Sequence, residues 1–159
     1  MAVTLAPALK SFLDLISFSE GADYDTIVTG VVGPATFTDY SDHPFAPQFH
    51  RPPVIVRRLP LLESTASGRY QIEYRWWPAY KAQLKLADFS PASQDAYAIE
   101  QLRERGAIAL IGAGDIQAAI TACSDIWASF PGNQYKQGSK SMVVLLDKFQ
   151  ELSAQSGPT

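Results

Sequence analysis

The chain has 159 residues, 47% of them hydrophobic and 18% charged, a composition that fits one ordinary globular domain. A net charge of −3, with no basic run longer than Arg57-Arg58, excludes a nucleic-acid binder, which needs Lys and Arg clustered against phosphate. The single cysteine, Cys123, excludes an internal disulfide, and two histidines without ligand-spaced neighbours leave no metal site or cofactor to expect.

The N-terminal stretch MAVTLAPALKSFLDLISF has no charged leader, and Lys10 and Asp14 interrupt its apolar run. Neither an export signal nor a membrane span is expected there, which implies synthesis and folding in the cytoplasm. Residues 7 to 20 read as a helix, with Pro7 tolerated in the first turn and Phe12, Leu15, Ile16 and Ser19 on one face. That helix stops at Gly21, directly after Glu20. A carboxylate at a helix C-terminus meets the negative end of the dipole, and burial there would hold it protonated nearer neutrality, as a general acid requires. From these residues alone, a plain surface glutamate before a glycine stop is the commoner reading.

Residues 22 to 42 are rich in β-branched side chains and broken by Gly30, Gly33 and Pro34, which predicts short strands and turns. The following HPFAPQFHRPPVIVRRLP holds five prolines and reads as a long extended loop, either a lid over a ligand or a tolerated insertion. Together, residues 22 to 63 form a small β-rich insertion. From Tyr70 the chain is mainly helical. Trp76, Tyr80 and Leu84 share a helical spacing in which Pro78 must start or kink the helix. Ser90, Pro91 and Gly106 mark the cap, first position and stop of the next helix. Asp115 caps a helix whose Ile116, Ala119, Ile120, Cys123 and Trp127 form one stripe, and a last helix near residues 141 to 152 buries Met142, Leu145, Leu146 and Phe149. The order is helix, β-rich insertion, then four helices: a single α+β domain over residues 1–159, with a helical lobe, a β lobe and a cleft between them suited to an extended ligand.

Cys123 with His43 or His50 would suggest a thiol hydrolase, but the buried stripe around Cys123 lacks the setting of an activated thiol and predicts core packing. TDYSDHP, residues 38 to 44, gathers two carboxylates, two aliphatic hydroxyls, a phenol and an imidazole, either as a polar turn or as part of a site. STASGRYQ, residues 64 to 71, leaves Arg69, Tyr70 and Gln71 exposed after a glycine that allows close approach of backbone to a ligand.

Taken in order, the Glu-Gly end of the first helix, FTDYSDHP, STASGRYQ, RWWPAY, FSPASQDA, RGA and IWASFPG resemble the endolysins of phage lambda and its relatives, from about Phe12 to Phe149. The resemblance implies a lysozyme-like fold and a peptidoglycan lytic transglycosylase. Such an enzyme cleaves the β-1,4 bond between N-acetylmuramic acid and N-acetylglucosamine and leaves a 1,6-anhydro ring on the muramic acid. It places the catalytic acid on Glu20. It implies a glycan-binding set of Tyr40, Ser41, Arg69, Tyr70, Gln71 and Tyr135, with Trp77 a further stacking candidate. It also implies a monomer that reaches the periplasm through a membrane lesion made by a holin and inserts into no membrane itself. Two rivals stand beside it. A hydrolytic muramidase on the same fold would need a water-activating carboxylate such as Asp39 or Asp42. A non-catalytic wall-binding module would have lost the acid that Glu20 supplies.

Overall fold

The structure, a computed structural model, describes residues 6–132 and 140–155. Two compact units emerge, one built from the chain up to Gly21 and from Ala98 onward, the other from Ala22–Tyr97.

The first unit is helical. Its leading helix α1 (Pro7–Glu20) carries Pro7 in the first turn and ends at Gly21, whose left-handed backbone (φ 64°, ψ 38°) returns its N–H to the Phe18 and Ser17 carbonyls. Phe12, Leu15 and Ile16 are fully buried on one face, as their spacing predicts. That helix packs against α4 (Ala107–Gly112) and α6 (Met142–Gln155), and α5 (Ile116–Ala122) packs on both of these. The Phe12 and Phe130 rings meet edge to face at 6.1 Å, and Trp127 meets Phe130 at 5.9 Å.

Asp115 caps α5 by accepting from the Ala118 N–H at 3.2 Å. The stripe Ile116, Ala119, Ile120, Cys123 and Trp127 is buried throughout, although α5 closes at Ala122 with Cys123 as its cap. Just beyond, the Ser124 hydroxyl donates to the Thr121 carbonyl at 2.8 Å, a local bond that competes with helix continuation. The sequence reading missed α4, because six residues are too few to show a period. Gly106 (φ 71°) ends one helix and caps the next. In α6, which runs to Gln155, Leu145 is fully buried while Met142, Leu146 and Phe149 are only half-buried.

The second unit begins with two antiparallel hairpins, β1 (Thr26–Gly30) with β2 (Gly33–Thr36), and β3 (Val54–Arg58) with β4 (Leu61–Ser64). They lie side by side, joined by the Val31 N–H to the Ile55 carbonyl at 2.9 Å. The extended loop expected over residues 43 to 60 is therefore corrected. Its prolines bracket strand β3 without interrupting it, so the β-branched Val54, Ile55 and Val56 remain able to form a ladder. Pro44, Phe45 and Ala46 ahead of it are buried, and Pro47–Phe49 forms a 3₁₀ turn.

Behind the hairpins lies an aromatic core. The Phe89 ring stands 4.9 Å from both His43 and Trp77 and 5.9 Å from Phe37. Helix α2 (Trp77–Gln83) has Pro78 in its first turn, so the proline starts the helix and causes no kink. Helix α3 (Pro91–Glu104) follows.

Cys123 is fully buried, and burial pushes its thiol up to about 12, so the expected core role holds. Cys123→Ala should leave turnover intact and lower stability by about 1 kcal/mol, the scale of one small cavity. Urea unfolding monitored alongside a wall-clearing assay checks both halves.

Candidate active site

In the helical unit, Glu20 is the final residue of α1, and the left-handed Gly21 turns the chain away immediately behind it. Burial dominates its titration and pushes the carboxyl from 4.5 up to about 7, against a hydrogen bond from Ser129 and the positive charge of Lys140. The direction agrees with the sequence reading, but loss of water, more than the helix end, supplies it.

Ser129 lies 110 positions from Ser19, and their hydroxyl oxygens are 2.7 Å apart. A hydroxyl has one proton to give, so a Ser129 that donates to Glu20 receives its other bond from Ser19. The Lys140 backbone N–H donates to the Ser129 carbonyl at 2.8 Å. Its ammonium lies 5.7 Å from the Phe18 ring centroid, and the Lys148 ammonium lies at 5.0 Å. One hydroxyl, itself backed by Ser19, and one cation thus act on an acid that stays half protonated near neutrality. Such a group can give a proton and take one back.

The β-rich unit holds most of the remaining expected residues and joins them through Gln94, which is fully buried. The Gln94 Oε1 accepts from the Arg69 N–H at 2.9 Å, while its Nε2 donates to the Phe89 carbonyl at 2.9 Å and the Tyr24 carbonyl at 3.1 Å. The Phe89 N–H in turn donates to the Tyr40 carbonyl at 2.8 Å. Segments 40–41 and 69–71 are therefore pinned to one amide. Gly68 (φ 81°) is required at this point, since a Cβ there would stand 2.3 Å from the Gln94 Oε1.

Tyr40 is half-buried against Phe37, and Ser41 is exposed with its N–H bonded to Asp39. Gln71 sits at φ 49° and donates to the Gly68 carbonyl at 3.0 Å. Tyr70 corrects its expectation. Only 1% exposed, it offers no ring face to a sugar and instead donates its hydroxyl to Asp95 at 2.6 Å. Tyr24 donates to the same carboxylate oxygen at 2.9 Å, and Arg69 donates to the Tyr70 hydroxyl at 3.1 Å with its guanidinium 5.2 Å from the Tyr24 ring. Trp77 is likewise fully buried and unable to stack. Tyr135 lies outside the described residues.

Asp42 accepts from the Trp77 indole, the His43 N–H, Gln48 and Lys81. Burial opposes its charge, yet those donors hold it below the usual carboxylate range. The Ser41 hydroxyl and N–H do the same for exposed Asp39. His43 is buried, with Nε2 donating to the Ile72 carbonyl at 2.7 Å and Nδ1 accepting from Phe45 at 3.1 Å. Burial, against that Ile72 bond and the Asp42 charge, lowers its imidazole to about 4. The neutral ring is a packing element of the β-rich unit.

The sequence reading missed Ser129, Lys140, Gln94, Asp95 and Tyr24. Ser129, Gln94 and Asp95 stood inside quoted motifs, IWASFPG and SPASQDA, where they read only as helix and loop residues.

The architecture is the lysozyme-like α+β fold. It superposes with a TM-score of 0.83 on bacteriophage lambda lysozyme complexed with a chitohexasaccharide, at 46% identity, covering 95% of this chain and 97% of that one. A second structure of bacteriophage lambda lysozyme matches with a TM-score of 0.74 at 42% identity over 99% of both chains. The chain belongs to the endolysin family, whose model matches residues 10–156. It is 47% identical over 152 residues to the endolysin of Escherichia phage lambda, 89% of each chain, and 49% identical over 148 residues to that of Escherichia phage P2, 87% and 88%.

The Glu20 environment fixes a pH dependence. Below the unfolded value of 4.5 the group is neutral in both states, and above about 7 it is charged in both. Its folded-state preference for the neutral form is therefore fully expressed at low pH and is lost as pH rises through that window. Glu20→Gln, which cannot ionise, should gain stability relative to the parent between about pH 5 and about pH 8, by on the order of 3 kcal/mol at most. Ser129→Ala removes a bond to the anion and should move the Glu20 titration to higher pH, read by carboxyl NMR. A downward move would show that Ser129 does not bond the charged form.

Proposed function

We propose that this chain is a phage-type endolysin that breaks bacterial peptidoglycan without water, cleaving between N-acetylmuramic acid and N-acetylglucosamine and forming 1,6-anhydromuramic acid ends. The single observation that carries this reading is the contrast among carboxylates. Glu20 is held protonated near neutrality by loss of water, while Asp39 and Asp42, the two residues that a hydrolytic route would recruit, are tied up as weakly basic anions.

Glu20 gives its proton to the glycosidic oxygen as positive charge grows on the sugar ring. The resulting carboxylate then takes the proton from the muramic C6 hydroxyl, which attacks C1 within the same sugar. One C–O bond breaks and one forms, and Glu20 ends as it began. Intramolecular attack carries a large effective molarity, so neither an ordered water nor a protein nucleophile is needed. The ordinary two-carboxylate arrangement is then unnecessary. In the β-rich unit, Tyr40 and Ser41 with Arg69 and Gln71 are the glycan-contacting set, aided by Tyr135. The sugar ligand carried by the matched lambda lysozyme supports a glycan as substrate. No helix among the described residues is long and apolar enough to cross a membrane, and access to the wall comes from a holin lesion. The enzyme acts as a monomer in the periplasm.

Two measurements test this. Glu20→Gln should lose roughly 10²- to 10⁴-fold in turnover while remaining folded, and near-parental clearing would sink the assignment. Mass spectrometry of released muropeptides should show ends one water lighter than lysozyme products and resistant to borohydride. Reducible ends formed at the rate of lysis would mark a hydrolase.

A further inference from the structure

We propose that the β-rich unit carries a second ligand site, a cavity beside α2 that receives the carboxylate-bearing peptide stem of the wall polymer. The inference rests on the peptidoglycan reading above but concerns residues outside the glycan set. The cavity measures about 560 Å³ and is walled by Asp42, Tyr74, Pro78, Lys81, Lys85 and Leu86 among others. That volume falls within the roughly 300–1,000 Å³ of small-molecule sites, and none of the glycan-contacting residues lines it.

Its charge arrangement selects the ligand. Lys81 is held by Asp42 at 3.2 Å, and Asp42 is already engaged by Trp77, Gln48 and the His43 N–H. The pairing therefore fixes the ammonium at the cavity while leaving its remaining N–H donors for a ligand. Lys85, four residues on and just past the end of α2, has no ion-pair partner among the described residues; Lys81 and Lys85 against Asp42 leave the cavity lining one positive charge in excess, with Asp88, which also feels the Lys81 charge, outside the lining.

Lys85 is also conformationally unusual. The end of α2 closes with Lys85 N–H to the Ala82 carbonyl at 3.2 Å and Leu86 N–H to the Lys81 carbonyl at 2.9 Å, which places Lys85 in the left-handed region at φ 55°. Glycine is the relaxed choice at that position. A lysine there accepts backbone strain, and Lys85 is among the residues that line the cavity. Tyr74, Pro78 and Leu86 supply apolar walls for an aliphatic chain. A short peptide bearing several carboxylates on an aliphatic frame matches both features. Peptidoglycan presents such a stem on each muramic residue.

The full chain is titrated with the stem tripeptide L-alanyl-γ-D-glutamyl-diaminopimelate, and separately with acetate and inorganic phosphate, following amide NMR shifts. Saturable shifts at Tyr74, Lys81, Lys85 and Leu86 are expected, with the tripeptide at least roughly tenfold tighter than either simple anion. Lys85→Gly keeps the left-handed backbone and removes the ammonium, and it should weaken tripeptide binding severalfold. Its kcat/KM should fall more on peptide-bearing walls than on glycan strands stripped of peptide by an amidase. Shifts located elsewhere, equal binding of the simple anions, unchanged binding by Lys85→Gly, or an equal loss on both substrates would each overturn the proposal. Because the titration involves no turnover, its outcome is independent of whether the released ends prove anhydro or reducible.

Discussion

The withdrawal of water from the Glu20 carboxylate is the constraint on which the candidate chemistry depends. A carboxylic acid in water is an anion at neutral pH and has no proton to give. Here a helix ends on the acid, a left-handed glycine removes the following chain, and burial within the helical unit keeps water from it. Ser129 and Lys140 keep the resulting shift moderate, since both favour the charged form against burial. Without them the acid would hold its proton too tightly to serve as a base in the second half of the proposed reaction. Burial and its two opponents together place the group where both protonation states are accessible.

A different device orders the β-rich unit. Two short hairpins and a string of turns contain little regular hydrogen bonding, so the positions of segments 40–41 and 69–71 depend on side-chain bonds. Gln94 provides them, reaching three backbone groups from the start of α3. One residue further on, Asp95 accepts from the hydroxyls of Tyr24 and Tyr70. The two adjacent positions hold down separate stretches of the unit. A buried polar network of this kind specifies one arrangement because any other leaves a buried amide or carboxylate unsatisfied.

Much of this was legible in the sequence where the cause is local. The periodic face of α1, its glycine stop behind Glu20, the Asp115 cap and the buried stripe around Cys123 all depend on neighbours within a turn or two. What escaped depends on contacts across many residues. Nothing near position 129 signals that a serine there meets Ser19, and Gln94 reads as a polar residue on a capped helix. Tyr70 looked exposed because it follows a small polar run, yet the aromatic core and Asp95 draw it inward. The hairpin at β3 was obscured by its prolines, whose number suggested a loop while their placement at the strand boundaries permitted a ladder.

The small size of the two hairpins also bears on self-association. Exposed strand edges are templates for pairing with other chains, and these hairpins carry exposed apolar residues at their turns, with Val32 88% and Leu59 91% accessible. Yet β2 and β4 span only four residues each, Pro34 lies within β2, and Arg57 and Arg58 close β3. An incoming strand would find too few consecutive donors and acceptors to register against. The chain can thus keep greasy turns on display without becoming a nucleus for cross-chain sheets, even where it accumulates to high concentration.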